Sequence, residues 1–173
     1  TGAKTTVNKL LPEDQRKTQW AKKIGELKSS PPYIGLHMGF KGDIAKAGAS
    51  ATNMWFFNTW GRTTKGWNLA DKNEEAPILY VSFPSLKDPL HEAGPECKHT
   101  GEVVTFVSYE LFKKWQDTNY KKRPEDYQTF KEEITERIIN DLKKHIPEIM
   151  DLLDYYELST PMTAEHFANA DEG

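Results

Sequence analysis

The sequence predicts an α+β domain, with a mostly antiparallel sheet of about five strands and helices packed on one face. Three observations carry that class. Short alternating or two-sided apolar segments fill the middle of the chain, from Tyr33 to Tyr109. The clearest helical periodicity lies in the last third, from Tyr127 to His145. Strands and helices come in blocks without regular β-α-β alternation, which argues against a doubly wound parallel sheet. A chain of 173 residues with 5 Trp, 7 Tyr and 8 Phe suits one well-packed domain spanning 1–173.

The elements follow in order. Residues Thr1 to Leu11 read as an extended lead-in. Pro12-Glu13-Asp14 reads as a helix start, with Pro in the first turn and acids at the positive end of the dipole. Trp20, Ile24 and Leu27 then form an apolar stripe, stopped by Ser29-Ser30-Pro31-Pro32. Tyr33 to Phe40 alternates as a strand. Ile34, Leu36, Met38 and Phe40 share one face; Tyr33, Gly35, His37 and Gly39 share the other. Lys41-Gly42-Asp43 is a turn. Ala51 to Trp60 reads as a second strand, Ile78 to Phe83 as a third and Glu102 to Tyr109 as a fourth. Polar loops over Gly61 to Glu75 and Pro84 to His99 separate them. Tyr109 to Trp115 reads as a short amphipathic helix. Pro124-Glu125-Asp126 opens a long helix on which Tyr127, Phe130, Ile134, Ile138, Leu142 and His145 recur at three or four residues. Glu133 and Arg137 are an i,i+4 pair on its wet side. Pro147 kinks this helix or begins a new turn. Tyr155 to Leu158 is a fifth strand, and Thr163 to Phe167 a helical turn. Several strands are apolar on both faces, so both faces of the sheet need a cover. The helices supply only one.

Composition narrows the function classes. A net charge of -3 argues against nucleic acid as the main partner. The lone Cys97 excludes an internal disulfide framework and a multi-Cys zinc site. The 11 glycines form neither G-x-G-x-x-G nor a P-loop. His91, Cys97 and His99 match no common zinc spacing and read as a solvated loop. Carboxylate pairs such as Glu132-Glu133 read as solvated faces. The cluster Lys113, Lys114, Lys121, Lys122 and Arg123 reads as solvated surface, with contact to anionic lipid headgroups as the sharper alternative. Gly35 and Gly39 on one strand face are either a flat patch or a place where a planar group approaches closely. Thr160, Thr163 and His166 at the end of the fifth strand either line a pocket or cap a helix.

Several segments together resemble one family. They are Lys9-Leu10-Leu11-Pro12, Ile34-Gly35-Leu36-His37-Met38-Gly39-Phe40, Ala51-Thr52-Asn53-Met54-Trp55, and Val81-Ser82-Phe83-Pro84-Ser85-Leu86-Lys87-Asp88-Pro89. The stretch from Asp126-Tyr127 to Phe130-Lys131 and the closing Leu158-Ser159-Thr160-Pro161-Met162-Thr163 join them. In this order the segments resemble the flavin-dependent phytoene desaturase, carotenoid isomerase and retinol saturase group, whose own motif is a Thr-Pro-x-Thr segment.

The resemblance implies a part of an enzyme. The family resembles amine oxidases in layout: a Rossmann-type FAD domain, split in sequence, with a substrate domain inserted. The chain starts at Thr1 and carries neither glycine-rich flavin segment, so it is expected to be the substrate domain excised from a larger flavoprotein. FAD is then expected in the parent protein and not in this chain, which is expected to be inactive alone. The resemblance implies that the open sheet face meets an apolar polyene through Gly35, His37 and Gly39, with Asn53 and Trp55 on the next strand. Thr160, Thr163 and His166 are expected near the flavin. No catalytic residue and no metal ligand is assigned. The expected partners are the polyene, the missing FAD-binding domain, a membrane surface contacted peripherally and a second copy through the open face. The expected compartment is cytoplasmic or plastid-type. The competing class is a non-catalytic lipid- or protein-interaction module.

Overall fold

The structure, a computed structural model, describes residues 2–58 and 67–170. Five strands form a single sheet: β1 (Tyr33–Lys41), β2 (Met54–Phe57), β3 (Ile78–Ser82), β4 (Lys98–Phe106) and β5 (Leu153–Ser159). All neighbours are antiparallel, and the spatial order is β2-β3-β4-β1-β5. This is the α+β architecture expected from the sequence.

The alternation in β1 sets the two faces. Ile34, Leu36, Met38 and Phe40 are all buried, as are Leu79, Val81, Val103 and Leu158 on neighbouring strands. Against this face lies α5 (Glu125–His145), which opens after Pro124 with Glu125 and Asp126 and ends with Lys143, Lys144 and His145, as the helix dipole favours. Tyr127, Ile134, Ile138 and Leu142 form its buried stripe. Removing each such aliphatic side chain from water contributes about 1.5–3 kcal/mol. His145, at the end of the predicted stripe, is exposed and stacks flat on Phe56 of β2, with centroids 4.4 Å apart.

Several boundaries differ from the sequence reading. Residues 3–10 are helical, with α1 (Ala3–Thr5) running into a π-turn (Thr6–Leu10), because burial of Val7 holds the turn against the domain. The next helix breaks into α2 (Glu13–Arg16) and α3 (Gln19–Gly25), separated by an extended Thr18. Arg16 donates to Leu11 O and Lys9 O and ties the break to the lead-in. The expected Trp20/Leu27 stripe stays largely in solvent, at 49% and 58% exposure. Pro84 starts α4 (Pro84–Lys87), and β4 begins four residues early because Lys98 to Gly101 continue the register opposite Met38 to Lys41. Gly101 permits this, since a Cβ there would lie 2.8 Å from the ring of Phe40. The second strand is only Met54–Phe57; Trp60, and residues 61–66 of the following connection, lie outside the described residues. Tyr109–Leu111 and Lys113–Trp115 are two 3₁₀ turns in place of one helix. After the break at Ile146, Pro147 begins α6 (Pro147–Met150). The last element, α7 (Pro161–Ala168), ends in a left-handed Asn169.

Arg137 also departs from its expected pairing. Its guanidinium stacks on the buried Trp67, 4.4 Å from the ring, and donates to the carbonyls of Leu69, Asp71 and Glu74. The residue is a clamp on the 67–75 loop, and Glu133 acts on it only as one of three nearby carboxylate charges, with Asp71 and Glu74.

Candidate functional site

The opposite face of the sheet carries the candidate site. Register places Trp55, Tyr80, Val104, Gly35 and Ser159 in one row across all five strands. The next row holds Ser82, Glu102, His37 and Glu157. Over the β4-β1-β5 end, α7 stands beside the sheet and leaves a groove of about 550 Å³. Tyr33, Val104 and Phe106 line it from the sheet, and Thr163, Ala164, Phe167 and Ala168 from α7. His37, Glu102 and Ser159 supply the polar lining.

Gly35 sits in the floor of this groove. A Cβ on it would meet nothing nearer than His37 Nε2 at 3.7 Å, so packing does not force glycine here. What glycine keeps open is the space above the strand, which favours close approach of a ligand over a merely flat patch. His37 Nε2 lies 3.0 Å from Ser159 Oγ, and register sets Glu102 and Glu157 on either side of it. The groove is therefore apolar along its length, with one polar cluster.

The α7 wall is fixed from the core side. Thr160 and Thr163 form a capping box, with Thr160 N donating to Thr163 Oγ1 at 3.2 Å. The buried Thr160 Oγ1 is 2.7 Å from Tyr127 Oη. Arg123 donates to Met162 O (3.1 Å), and Tyr109 Oη donates to Glu165 Oε1 (2.6 Å). Both threonines line the groove, yet their hydroxyls are occupied by the cap and the core. Here the capping reading and the pocket reading are both realised.

The structure thus brings together Gly35, His37, Thr160 and Thr163. It does not bring the other four to this groove. Gly39 shares the face but packs under Tyr155, whose Cβ lies 3.4 Å from where a glycine Cβ would stand. Asn53 accepts a hydrogen bond from Lys87, which also donates to Ser82. Trp55 is on the face but at the far edge, because β3 and β4 lie between β2 and β1. At about 4.8 Å per strand that is roughly 14 Å away. There it is 55% exposed and edge-on to Tyr80. His166 stacks on Tyr120, centroids 4.5 Å apart, outside the groove. Sequence reasoning did not single out Glu102, Phe106, Ser159 or Phe167. The period-two step from Val104 to Phe106 was the available signal for one of them.

In the 91–99 region, His91 and His99 have ring centroids 5.3 Å apart, and His99 Nδ1 lies 3.1 Å from Ser85 Oγ. Burial, then the neighbouring His91, push His99 below the ordinary histidine pKa. Among the described residues no group of three or more His, Cys, Asp or Glu side chains is placed to hold a metal.

The chain was compared with known proteins. Over 99% of its length it is 28% identical to the all-trans-retinol 13,14-reductase of Danio rerio. The chain is similar to retinol reductases and to a carotenoid isomerase. Along 83% of its length it is also 24% identical to the chloroplastic prolycopene isomerase of Arabidopsis thaliana. An inactive all-trans-retinol 13,14-reductase of Danio rerio is 25% identical over 93% of the chain. Likeness to the retinol saturase group over this region is therefore shared by a member named as inactive, and does not itself assign turnover. The chain spans 29%, 21% and 28% of the lengths of these three relatives. No family model and no solved structure matches it. Among the described residues no helix is long and apolar enough to cross a membrane.

Proposed function

We propose that this chain is the substrate-binding domain of a flavin-dependent oxidoreductase acting on a retinoid- or carotenoid-like polyene, and that the groove over Gly35 is its polyene wall. The observation that supports this best is the groove itself: a mostly apolar recess on the sheet face opposite α5, with Gly35 in its lining and room for no more than an ordinary contact at its Cβ position. The retinol saturase and carotenoid isomerase relatives give the ligand class. A polyene is rigid and flat, so a strand surface with a missing side chain is a suitable seat. Tyr33, Val104, Phe106 and Phe167 give it apolar walls. The His37–Ser159 pair, with Glu102 beside it, offers a terminal hydroxyl hydrogen-bond partners.

The described residues do not fit a flavin dinucleotide. The sheet is wholly antiparallel, and no glycine-rich turn joins a strand to a helix end that would receive a pyrophosphate. In this proposal a further part of the polypeptide holds the flavin and covers the remaining open face, where Trp55 and Phe57 are more than half exposed. Redox chemistry belongs to that cofactor. The residues of this chain bind, orient and desolvate the polyene.

The test is a titration of the chain with all-trans-retinol, read by retinol fluorescence. Saturable binding with one site per chain is expected. Uptake that rises linearly without saturation overturns the reading.

A further inference from the structure

A second recess lies across the Ser159–Thr163 wall from the groove. It has a volume of about 210 Å³ and is bounded by the 120–123 loop, α5 and β5. Its charged lining is Lys121, Arg123 and Lys131 against a single carboxylate, Glu157. Among the described residues no ion pair forms on Arg123 or Lys131. Arg123 is held in place: its guanidinium lies 4.9 Å from the ring of Tyr127 and 5.9 Å from that of Tyr120, and Nη2 donates to Met162 O. Its Nε is buried without an acceptor. Lys131 is half-buried on α5, and Glu157 is tied to Tyr155 Oη at 3.0 Å. Burial pushes the Lys131 ammonium below the ordinary lysine range; the Glu157 carboxylate opposes this, and the positive charge of Arg123 adds to the lowering. Three cations around one carboxylate in a concave site leave a net positive potential, which a bound anion relieves.

We propose that this recess is a phosphate site, with Arg123 and Lys131 as its principal ligands. A phosphate has the charge and acceptor count for a fixed guanidinium beside a lysine. Its source is either free phosphate or the phosphate of a lipid headgroup. The exposed Phe167, packed edge-on against Tyr120, and the surface Lys122 stand next to the recess, whose rim Lys121 forms. The site stands on its own lining and does not depend on what fills the groove.

The experiment follows the thermal midpoint of the chain with sodium phosphate against sodium chloride at matched ionic strength. A parallel arm uses co-sedimentation with phosphatidylcholine vesicles, with and without phosphatidic acid. Phosphate is expected to raise the midpoint beyond chloride. Lys131→Gln is expected to weaken phosphate binding about tenfold or more. Lys122→Gln, which alters charge outside the recess, is expected to change it by less than about twofold. Co-sedimentation that requires phosphatidic acid and is lost in Lys131→Gln assigns the lipid source. Phosphate binding without co-sedimentation assigns free phosphate. The proposal is overturned if phosphate stabilises no more than chloride and vesicles are not bound. Equal losses in Lys122→Gln and Lys131→Gln overturn it too, because they would show a diffuse charge effect.

Discussion

Gly35→Val is expected to weaken all-trans-retinol binding about tenfold or more, equivalent to at least about 1.4 kcal/mol, while the thermal midpoint stays within a few degrees of the unsubstituted chain. The asymmetry follows from the position. The new Cβ stands in ordinary contact with His37 and with Val103 O, and valine is a better strand residue than glycine, so the fold accepts it. Its methyl groups then occupy the floor of the groove, where the ligand lies. Gly35→Ala is expected to show a smaller loss in the same titration. Unchanged affinity in Gly35→Val would remove the groove from consideration as the polyene seat.

Trp67→Ala carries the largest expected loss of stability, about 3–5 kcal/mol from lost burial and the cavity left behind. Trp67 is 1% exposed, and its indole N–H donates to Glu74 O at 2.8 Å. Its ring is also the surface on which Arg137 stacks, and its backbone N–H bonds Phe106 O at 2.8 Å. Truncation therefore frees the 67–75 loop at the same time as it opens the core. Against a total stability of roughly 5–15 kcal/mol, a loss of that size leaves a substantial unfolded fraction, read by urea denaturation. Trp67→Phe keeps a ring under Arg137 and loses only the indole bond, so a loss closer to about 1–2 kcal/mol is expected.

Much of this architecture was legible in the chain because period governs it. Alternation in Tyr33 to Phe40 assigned both faces of β1 residue by residue, and the Tyr127 to Leu142 stripe located the covering helix. Strand order was not legible. β2 follows β1 in sequence but lies three places away in the sheet, since β1 hydrogen-bonds β4 and β5. That alone separates Trp55 from Gly35. Side-chain partners were hidden for a related reason. The i,i+4 spacing of Glu133 and Arg137 is a local signal, whereas Trp67, seventy residues earlier in the chain, offers the guanidinium an aromatic face and three carbonyls. Thr160 and Thr163 were found through their position at a strand end. The cap was among the readings their spacing offered; that the Thr160 hydroxyl is also taken up by Tyr127 depends on α5 packing beneath it.

The central claim is that the polyene lies along the β4-β1-β5 face under α7. Photolabelling with a diazirine-bearing retinol analogue, followed by peptide mapping, tests it most directly. The account predicts label on the segments around Tyr33 to His37, Val104 to Phe106 and Ser159 to Phe167, competed away by all-trans-retinol. Label concentrated instead on the exposed apolar residues at the other end of the chain, Leu10, Trp20 and Leu27, would contradict it.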